Sequence, residues 1–163
     1  MKKIIFLGIS ILIGILVYRK NNDIIIPSDA IRVRIVANSN NVNDLYQKQK
    51  LKNEIKEDLY SLVKDVNSRE EATKTIKNNL DNIREIIATK TSDFKIDYGS
   101  NYFPEKVYKG VIYPEGVYES LVITLGSGLG DNWWCVLYPP LCMIEDNPNT
   151  DDVTYRLLIN DIL

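Results

Sequence analysis

The chain has 163 residues, with 20 lysines and arginines against 22 aspartates and glutamates, and it contains no histidine. The missing histidine excludes a Ser-His-Asp triad, a Cys-His pair and a histidine-ligated zinc ion. The charges are interspersed, so we expect no basic face for a nucleic acid. The length suits a membrane segment followed by one domain of ordinary size, for which we expect no cofactor and no metal ion.

An uncharged, almost wholly apolar run covers residues 4–18 and is flanked by lysines and arginines. At about 1.5 Å per residue the run is about 22 Å long, which is short for a ~30 Å hydrocarbon core but suits a secretory signal. No small-x-small cleavage site follows closely. We therefore expect residues 1–20 to be an uncleaved signal-anchor, residues 21–30 a linker, and residues 31–163 a single domain outside the cytoplasm.

The first predicted strand runs from Ile31 to Ala37, where apolar and polar residues alternate over most of its length. Ile31, Val33 and Ile35 are expected to face a core, which leaves Arg32 and Arg34 on the opposite face. Two interpretations of the arginines stay open: a solvated sheet face, or a contact surface for a partner.

Two amphipathic helices should follow and pack as a hairpin on the sheet. The first begins at a cap provided by Asn43 or Asp44, ends near Val66, and has an apolar stripe at spacings of three and four residues. The second begins at the capping box that starts at Ser68. Their predicted stripes are Leu51, Ile55, Leu59, Leu62 and Val66, then Ala72, Ile76, Leu80, Ile83 and Ile87.

Short strands separated by turn residues fill the second half of the chain, which favours antiparallel pairing. Val153 to Ile159 is expected to form a last strand, with a short C-terminal helix as the alternative. The predicted class is α+β: a signal-anchor helix, then strand–helix–helix–antiparallel sheet, with the helical hairpin on one face. The other predicted strands are 94–98, 106–113, 117–125 and 133–138.

Constrained residues are concentrated between Gly126 and Cys142. Gly126, Gly128 and Gly130 lack the spacing of a phosphate-binding loop, and positive φ at a turn explains them more simply. Cys135 and Cys142 can form a disulfide only if the chain reverses between them, since their Cα atoms must lie within about 7 Å. Tyr138, Pro139 and Pro140 provide such a reversal, with one X-Pro bond a candidate for cis; two buried free thiols are the alternative.

Trp133 and Trp134 are adjacent, so in a strand they point to opposite faces. One of them can belong to the core while the other is displayed as an anchor for a partner. A core role for both is the alternative.

Three segments resemble the stage II sporulation protein R family: 31–39, 113–121 and, most specifically, the Trp-Trp-Cys and Pro-Pro-Leu-Cys run within 132–142. The resemblance implies a signal that is made in the forespore and exported into the space between the two sporulation membranes. There it triggers a membrane-embedded aspartic protease of the mother cell to process a sigma-factor precursor.

The residues favour a non-enzymatic recognition protein outside the cytoplasm, and the resemblance implies that it is a signal whose partner is a membrane protease. A cell-surface module that stacks a tryptophan on peptidoglycan is the alternative. The expected contact residues are Arg32, Arg34, Asn38, Trp133, Trp134, Tyr138, Pro139 and Pro140.

Overall fold

The structure is a computed structural model that describes residues 8–13, 24–142, 159 and 162–163. It confirms the α+β class. The strands and helices, in chain order, are β1 Ile24–Ile25, β2 Ile31–Val36, α1 Val42–Val63, α2 Arg69–Asn78, α3 Leu80–Ala88, β3 Phe94–Phe103, β4 Lys106–Tyr108, β5 Val111–Tyr113, β6 Gly116–Leu125 and β7 Asn132–Tyr138.

The main sheet has four strands in the order β3-β6-β2-β7. β6 pairs antiparallel with β3, and β7 pairs antiparallel with β2, but β2 and β6 run parallel. The prediction of an antiparallel sheet is therefore wrong for the central pair. Turn residues indicate only how strands that are neighbours in sequence pair, whereas β6 lies between β3 and β2, and neither of these directly precedes or follows it in the chain.

The three helices cover one face of this sheet, as predicted for a helical hairpin. Ile31, Val33 and Ile35 are fully buried against them. At roughly 1.5–3 kcal/mol for each fully buried aliphatic side chain, this contact is the main source of stability. Seven of the ten predicted stripe residues are buried, and the other three, Leu62, Val66 and Leu80, are half-buried against the same core. The buried seven are Leu51, Ile55, Leu59, Ala72, Ile76, Ile83 and Ile87.

Helix boundaries differ from the predictions in two places. The first helix begins after Asn41, whose side chain makes no capping hydrogen bond, and it ends at Val63. Asp44, a predicted cap, instead accepts hydrogen bonds from Asn38 and Ser39. The second predicted helix is interrupted at Asn79 (φ −106°, ψ 7°), which divides it into α2 and α3. The cap at Ser68 is confirmed, since its hydroxyl accepts a hydrogen bond from the Glu71 amide at 3.2 Å.

A second sheet, in the order β1-β5-β4, lies beside a smaller core. The predicted strand over residues 106–113 is in fact the β4–β5 hairpin, whose turn residues Lys109 and Gly110 have φ values of 49° and 75°. β1 comes from the predicted linker, where Ile24 pairs in parallel with Val111. The linker prediction missed this strand because a two-residue pairing leaves no periodic signal.

Predictions for the two ends of the chain fall largely outside the described residues. Of the apolar run 4–18, residues 8–13 are helical and exposed. Within the described ranges, no helix combines the length and the apolar character needed to cross a membrane. The final strand predicted over 153–159 also lies outside, except that Ile159 is helical and buried in the smaller core.

Candidate partner-binding site

The two tryptophans lie on opposite faces of the main sheet, as predicted. Trp133 faces the helices, where the Lys52 ammonium lies 5.6 Å from its ring centroid. Trp134 faces away from the helices and is the cross-strand partner of Arg34. Both rings are half-buried, so each packs against the domain and also presents an edge to solvent.

Arg32 is almost completely buried, with 1% of its surface exposed, although a solvated face was one interpretation of this strand. That interpretation is wrong for Arg32, because aromatic side chains of the outer sheet face surround its guanidinium group. We call these rings the aromatic cage. The distances from Arg32 Cζ to the ring centroids are 4.2 Å for Phe103, 4.9 Å for Tyr118, 5.8 Å for Tyr113 and 5.9 Å for Trp134.

The cage holds a desolvated cation by the faces of its rings. Cation–π contacts in such a setting contribute about 2 kcal/mol, compared with about 0.5–1 kcal/mol at exposed sites. The rings also contact one another: Phe103 lies edge-on to Tyr118 at 5.9 Å and to Trp134 at 6.0 Å. The cage therefore fixes Trp134 by its neighbours on the sheet.

Arg34 lies directly opposite Trp134, and its Cζ is 5.3 Å from the Phe103 ring centroid. The Nε–H of Arg34 and the indole Nε1–H of Trp134 are both buried and have no hydrogen-bond partner. Desolvation by burial lowers the pKa of the Arg34 guanidinium. Leaving a buried donor unsatisfied costs about 1–3 kcal/mol, so these two donors are an unusual feature of this sheet face.

A cavity of about 110 Å³ opens next to the aromatic cage, and we call it the Arg32 pocket. Arg32, Lys106, Tyr108, Tyr113 and Trp134 line it, together with Trp133 and Cys135 of β7. The Lys106 ammonium lies 5.3 Å from the Tyr108 ring centroid and 5.7 Å from that of Trp134.

Sequence reasoning missed the contributions of Lys106, Tyr108 and Tyr113. The signal that could have found them is the run of tyrosines and lysines over residues 106–118. The alternation of polar and apolar residues could not have revealed them. They belong to a second sheet, and its position over the first sheet depends on the tertiary fold.

Cys135 and Cys142 form the predicted disulfide, with their Cα atoms 5.4 Å apart. The chain reverses at Tyr138-Pro139, whose peptide bond is cis. Leu141 then donates a backbone hydrogen bond to the Val136 carbonyl at 3.2 Å. Both cysteines are buried, so the bridge anchors the end of β7. Tyr138, Pro139 and Pro140 are half-buried around the turn.

The glycine-rich segment is a turn, as predicted, and it is hydrogen-bonded to the end of β2 and the residues after it. Gly126 and Gly128 have the expected positive φ values, 52° and 66°, but the expectation is wrong for Gly130. At Gly130 the constraint is space, because a Cβ atom would lie 2.4 Å from the Ser39 carbonyl oxygen.

Asn38 joins this glycine turn to the start of α1. Its Oδ1 accepts a hydrogen bond from the Ser127 amide at 2.9 Å, and its Nδ2 donates to Asp44 at 3.0 Å. The Asn38 side chain therefore holds the turn in place, and its proposed contact with a partner stays a prediction.

No cluster of three or more cysteine, aspartate or glutamate side chains within the described ranges is arranged to hold a metal ion. What the site offers instead is a set of fixed rings, cations and hydrogen-bond donors at one sheet face.

Comparison with known proteins links these residues to one family. The family model described as stage II sporulation protein R matches residues 27–148, a range that contains Arg32, Lys106, Trp134 and both cysteines. The stage II sporulation protein R of Bacillus subtilis (strain 168) is 39% identical over 133 residues, which cover 77% of this chain and 59% of that relative. The chain thus matches less than two thirds of the relative's length. No solved structure matches the chain.

Proposed function

Because this chain belongs to the stage II sporulation protein R family, we propose that it is an extracytoplasmic signal of sporulation. In this proposal the protein is exported from the forespore into the space between the two sporulation membranes. It binds a membrane-embedded aspartic protease of the mother cell and thereby activates processing of a sigma-factor precursor. Residues 4–18 serve as the export signal or membrane anchor.

The observation that carries the proposal is the rigid outer face formed by Arg34, Trp134 and the Arg32 pocket. A binding site benefits from side chains fixed before the partner arrives, since less conformational entropy is lost on association. Here the aromatic cage fixes Trp134, and the disulfide fixes the end of its strand. Tryptophan and arginine are also the residue types that most often dominate binding energy at interfaces.

The candidate residues take different roles in this proposal. Trp134, Arg34 and Tyr138 contact the protease directly, with Pro139 and Pro140 shaping the adjoining turn. Arg32 is too deeply buried to form a broad contact and instead forms the floor of the pocket. Trp133 faces the helices and extends the contact at the edge of β7.

We propose a binding role without catalysis, so the test must measure the activity of the partner. The full-length chain would be co-expressed with the candidate protease and its sigma-factor precursor, and precursor cleavage would be scored. We expect Trp134→Ala to reduce activation by at least about thirty-fold, the equivalent of a ~2 kcal/mol hot spot. Circular dichroism of the same variant should show a folded domain.

The matched control is Tyr46→Ala, which removes an exposed ring near the start of α1 that does not line the Arg32 pocket. This variant should activate like the wild type. No cleavage with a correctly exported wild-type chain would overturn the proposed function. Full precursor cleavage with folded Trp134→Ala and Trp133→Ala variants would show that neither tryptophan belongs to the contact site.

The glycan-binding alternative is less well supported by the geometry. Stacking on a sugar needs an open ring face, but Trp134 is half-buried against Phe103. The Arg32 pocket is also smaller than the roughly 300–1,000 Å³ typical of small-molecule sites. Retention of the protein on purified cell wall, lost in Trp134→Ala, would favour the alternative.

A further inference from the structure

We propose that the outer edge of β3 binds the same edge of a second copy of this chain, so that the two main sheets join antiparallel about a two-fold axis at Ile96. The inference goes beyond the proposed function, because it concerns a contact between two copies and not the contact with a protease. It assigns a role to Lys95 and Asp97, two exposed residues of β3.

β3 is the outermost strand of the main sheet on one side, and it pairs with β6 along all 10 of its residues in one continuous register. The Gly126 amide donates to the Asp93 carbonyl at 3.0 Å, so these two residues form a hydrogen-bonded pair at the start of the ladder. Hydrogen-bonded pairs alternate with non-hydrogen-bonded pairs in an antiparallel ladder. Every second residue from Phe94 to Tyr102 therefore directs its N–H and C=O away from β6.

No other segment of the described ranges pairs with these outward backbone groups. A row of unpaired N–H and C=O groups is a template for another strand. The backbone of β3 thus has the capacity to extend the sheet by one more strand.

The side chains along this edge are apolar on one face of the sheet and charged on the other. Phe94, Ile96 and Tyr98 face the helices and are half-buried, because they pack on the core at its rim. Lys95 and Asp97 alternate with them and are exposed on the outer face. Neither charge has an ion-pair partner within the described ranges. Asp97 accepts one hydrogen bond, at 3.0 Å, from an amide side chain of its own strand.

The charges select the register in which two copies can meet. Because outward residues must pair with outward residues, each antiparallel register of two β3 strands is centred on one residue. A centre at Lys95 places two lysines opposite each other, and a centre at Asp97 places two aspartates opposite each other. A centre at Tyr98 gives neither charge a charged partner. A centre at Ile96 places Lys95 of each copy opposite Asp97 of the other.

In the register centred on Ile96, the two lysine–aspartate pairs are non-hydrogen-bonded pairs, whose Cα atoms are only about 4.5 Å apart. Opposite charges in cross-strand pairs stabilise a sheet, and like charges destabilise it. Charges on an edge strand commonly prevent pairing, but here they have opposite signs and are two positions apart. A second copy therefore neutralises both.

The same register also continues the apolar face across the contact. Ile96 meets Ile96 of the second copy, and Phe94 meets Tyr98, in three hydrogen-bonded pairs that supply about six backbone hydrogen bonds. Cross-strand pairs of aromatic and β-branched side chains stabilise a sheet further. The edge is thus self-complementary on both faces, which favours a second copy over an unrelated strand.

The test measures dimerisation of the full-length chain by sedimentation equilibrium in density-matched detergent micelles. Lys95→Glu and Asp97→Lys each place like charges opposite one another in the dimer, so each should weaken dimerisation at least about ten-fold. An equimolar mixture of the two variants should restore it, because one chain then carries two acids and the other two lysines at these positions. With one variant labelled with ¹⁵N, native mass spectrometry should identify the restored species as a heterodimer.

Two further variants serve as controls. Lys64→Glu makes the same charge reversal at an exposed position just after α1, and it should dimerise like the wild type. The double variant Lys95→Glu, Asp97→Lys exchanges the two charges and should also dimerise like the wild type. Circular dichroism should show a folded domain for every variant.

Three outcomes would overturn the inference. A wild-type chain that stays monomeric up to about 0.3 mM would mean that the edge is covered by another part of the chain or reserved for a strand of another protein. Single variants that dimerise like the wild type would place the contact elsewhere, for example in residues 4–18. A mixture no more dimeric than the single variants would exclude the lysine–aspartate pairs. Since no protease is present, the result is independent of the precursor-cleavage assay.

Discussion

The two faces of the four-stranded sheet are built from the same strands but carry opposite chemistry. In β2, Ile31, Val33 and Ile35 point to the helices and are fully buried among aliphatic side chains. Arg32 and Arg34 alternate with them and point to the other face, among aromatic rings. The helix-covered face supplies the apolar burial that a stable domain needs, whereas the other face places Arg32 and Arg34 among aromatic rings and leaves the Arg34 Nε–H and the Trp134 indole N–H without a hydrogen-bond partner within the described ranges.

The largest expected effect lies on the helix-covered face. Ile35→Ala should lower the free energy of unfolding by about 2–5 kcal/mol, because it removes aliphatic contacts and leaves a cavity in a central strand. Urea denaturation of the full-length chain would measure this. Val107→Ala is the matched control, since Val107 is 62% exposed, and it should change stability by less than about 0.5 kcal/mol. A loss below about 1 kcal/mol for Ile35→Ala would contradict the division between the faces.

Removal of the disulfide should cause the next largest loss of stability. Its two cysteines belong to the core beneath the helices, and they are seven positions apart in the chain. In the chain-entropy model, closing so short a loop stabilises the fold by about 2.5 kcal/mol. We expect the double variant Cys135→Ser, Cys142→Ser to lose about that much.

Reductant supplies the control for the disulfide. It should lower the stability of the wild type to that of the double serine variant and leave the variant itself unchanged. Mass spectrometry of exported protein under non-reducing conditions should find no alkylatable thiol. Two alkylatable thiols, or equal stability of the variant and the wild type, would contradict a structural bridge.

The contrast between the faces predicts that Arg32→Met lowers the free energy of unfolding by less than Ile35→Ala does. The substitution keeps most of the side-chain volume but removes the cation from the aromatic cage. In urea denaturation the variant should lose roughly 0.5–2 kcal/mol of cation–π stabilisation, less than Ile35→Ala. A stability loss equal to that of Ile35→Ala would mean that the outer face is a second folding core.

The local periodicity of apolar residues was enough to predict much of the helix-covered face. Leu51, Ile55 and Ile76 are buried as their spacing indicates, and Trp133 and Trp134 lie on opposite faces as strand geometry requires. These features depend on local periodicity, which the sequence records directly.

The aromatic cage could not be predicted in this way. Arg32 contacts Phe103, Tyr113 and Tyr118, which come from three different strands. Two of those strands belong to the main sheet and one to the small sheet, so the cage exists only after both have assembled. The parallel pairing of β2 with β6 was missed for the same reason, since no turn joins these strands.

The smallest predicted effect is an alkaline loss of stability on the helix-covered face. Burial raises the pKa of the Tyr98 hydroxyl, and the neighbouring Glu119 carboxylate acts in the same direction. Tyr98 therefore stays neutral in the folded protein at a pH where it ionises in the unfolded chain. Its contribution to stability is complete below the unfolded pKa of about 10 and is lost as the pH rises above it. Because the Tyr98 ring is only half-buried and solvent screens its surroundings, we expect the loss at pH 11 to be less than about 1 kcal/mol.

Tyr98→Phe should flatten this alkaline decline in urea titrations at pH 9 to 11 (about one pH unit on either side of the unfolded pKa). Tyr102→Phe is the matched control, because Tyr102 points to the same face of β3 but is 57% exposed. Its pKa is raised mainly by its hydrogen bond to Glu115, and solvent screens that bond, so the variant should keep the wild-type slope. Equal slopes for wild type and Tyr98→Phe would mean that the Tyr98 hydroxyl is not held neutral by its burial.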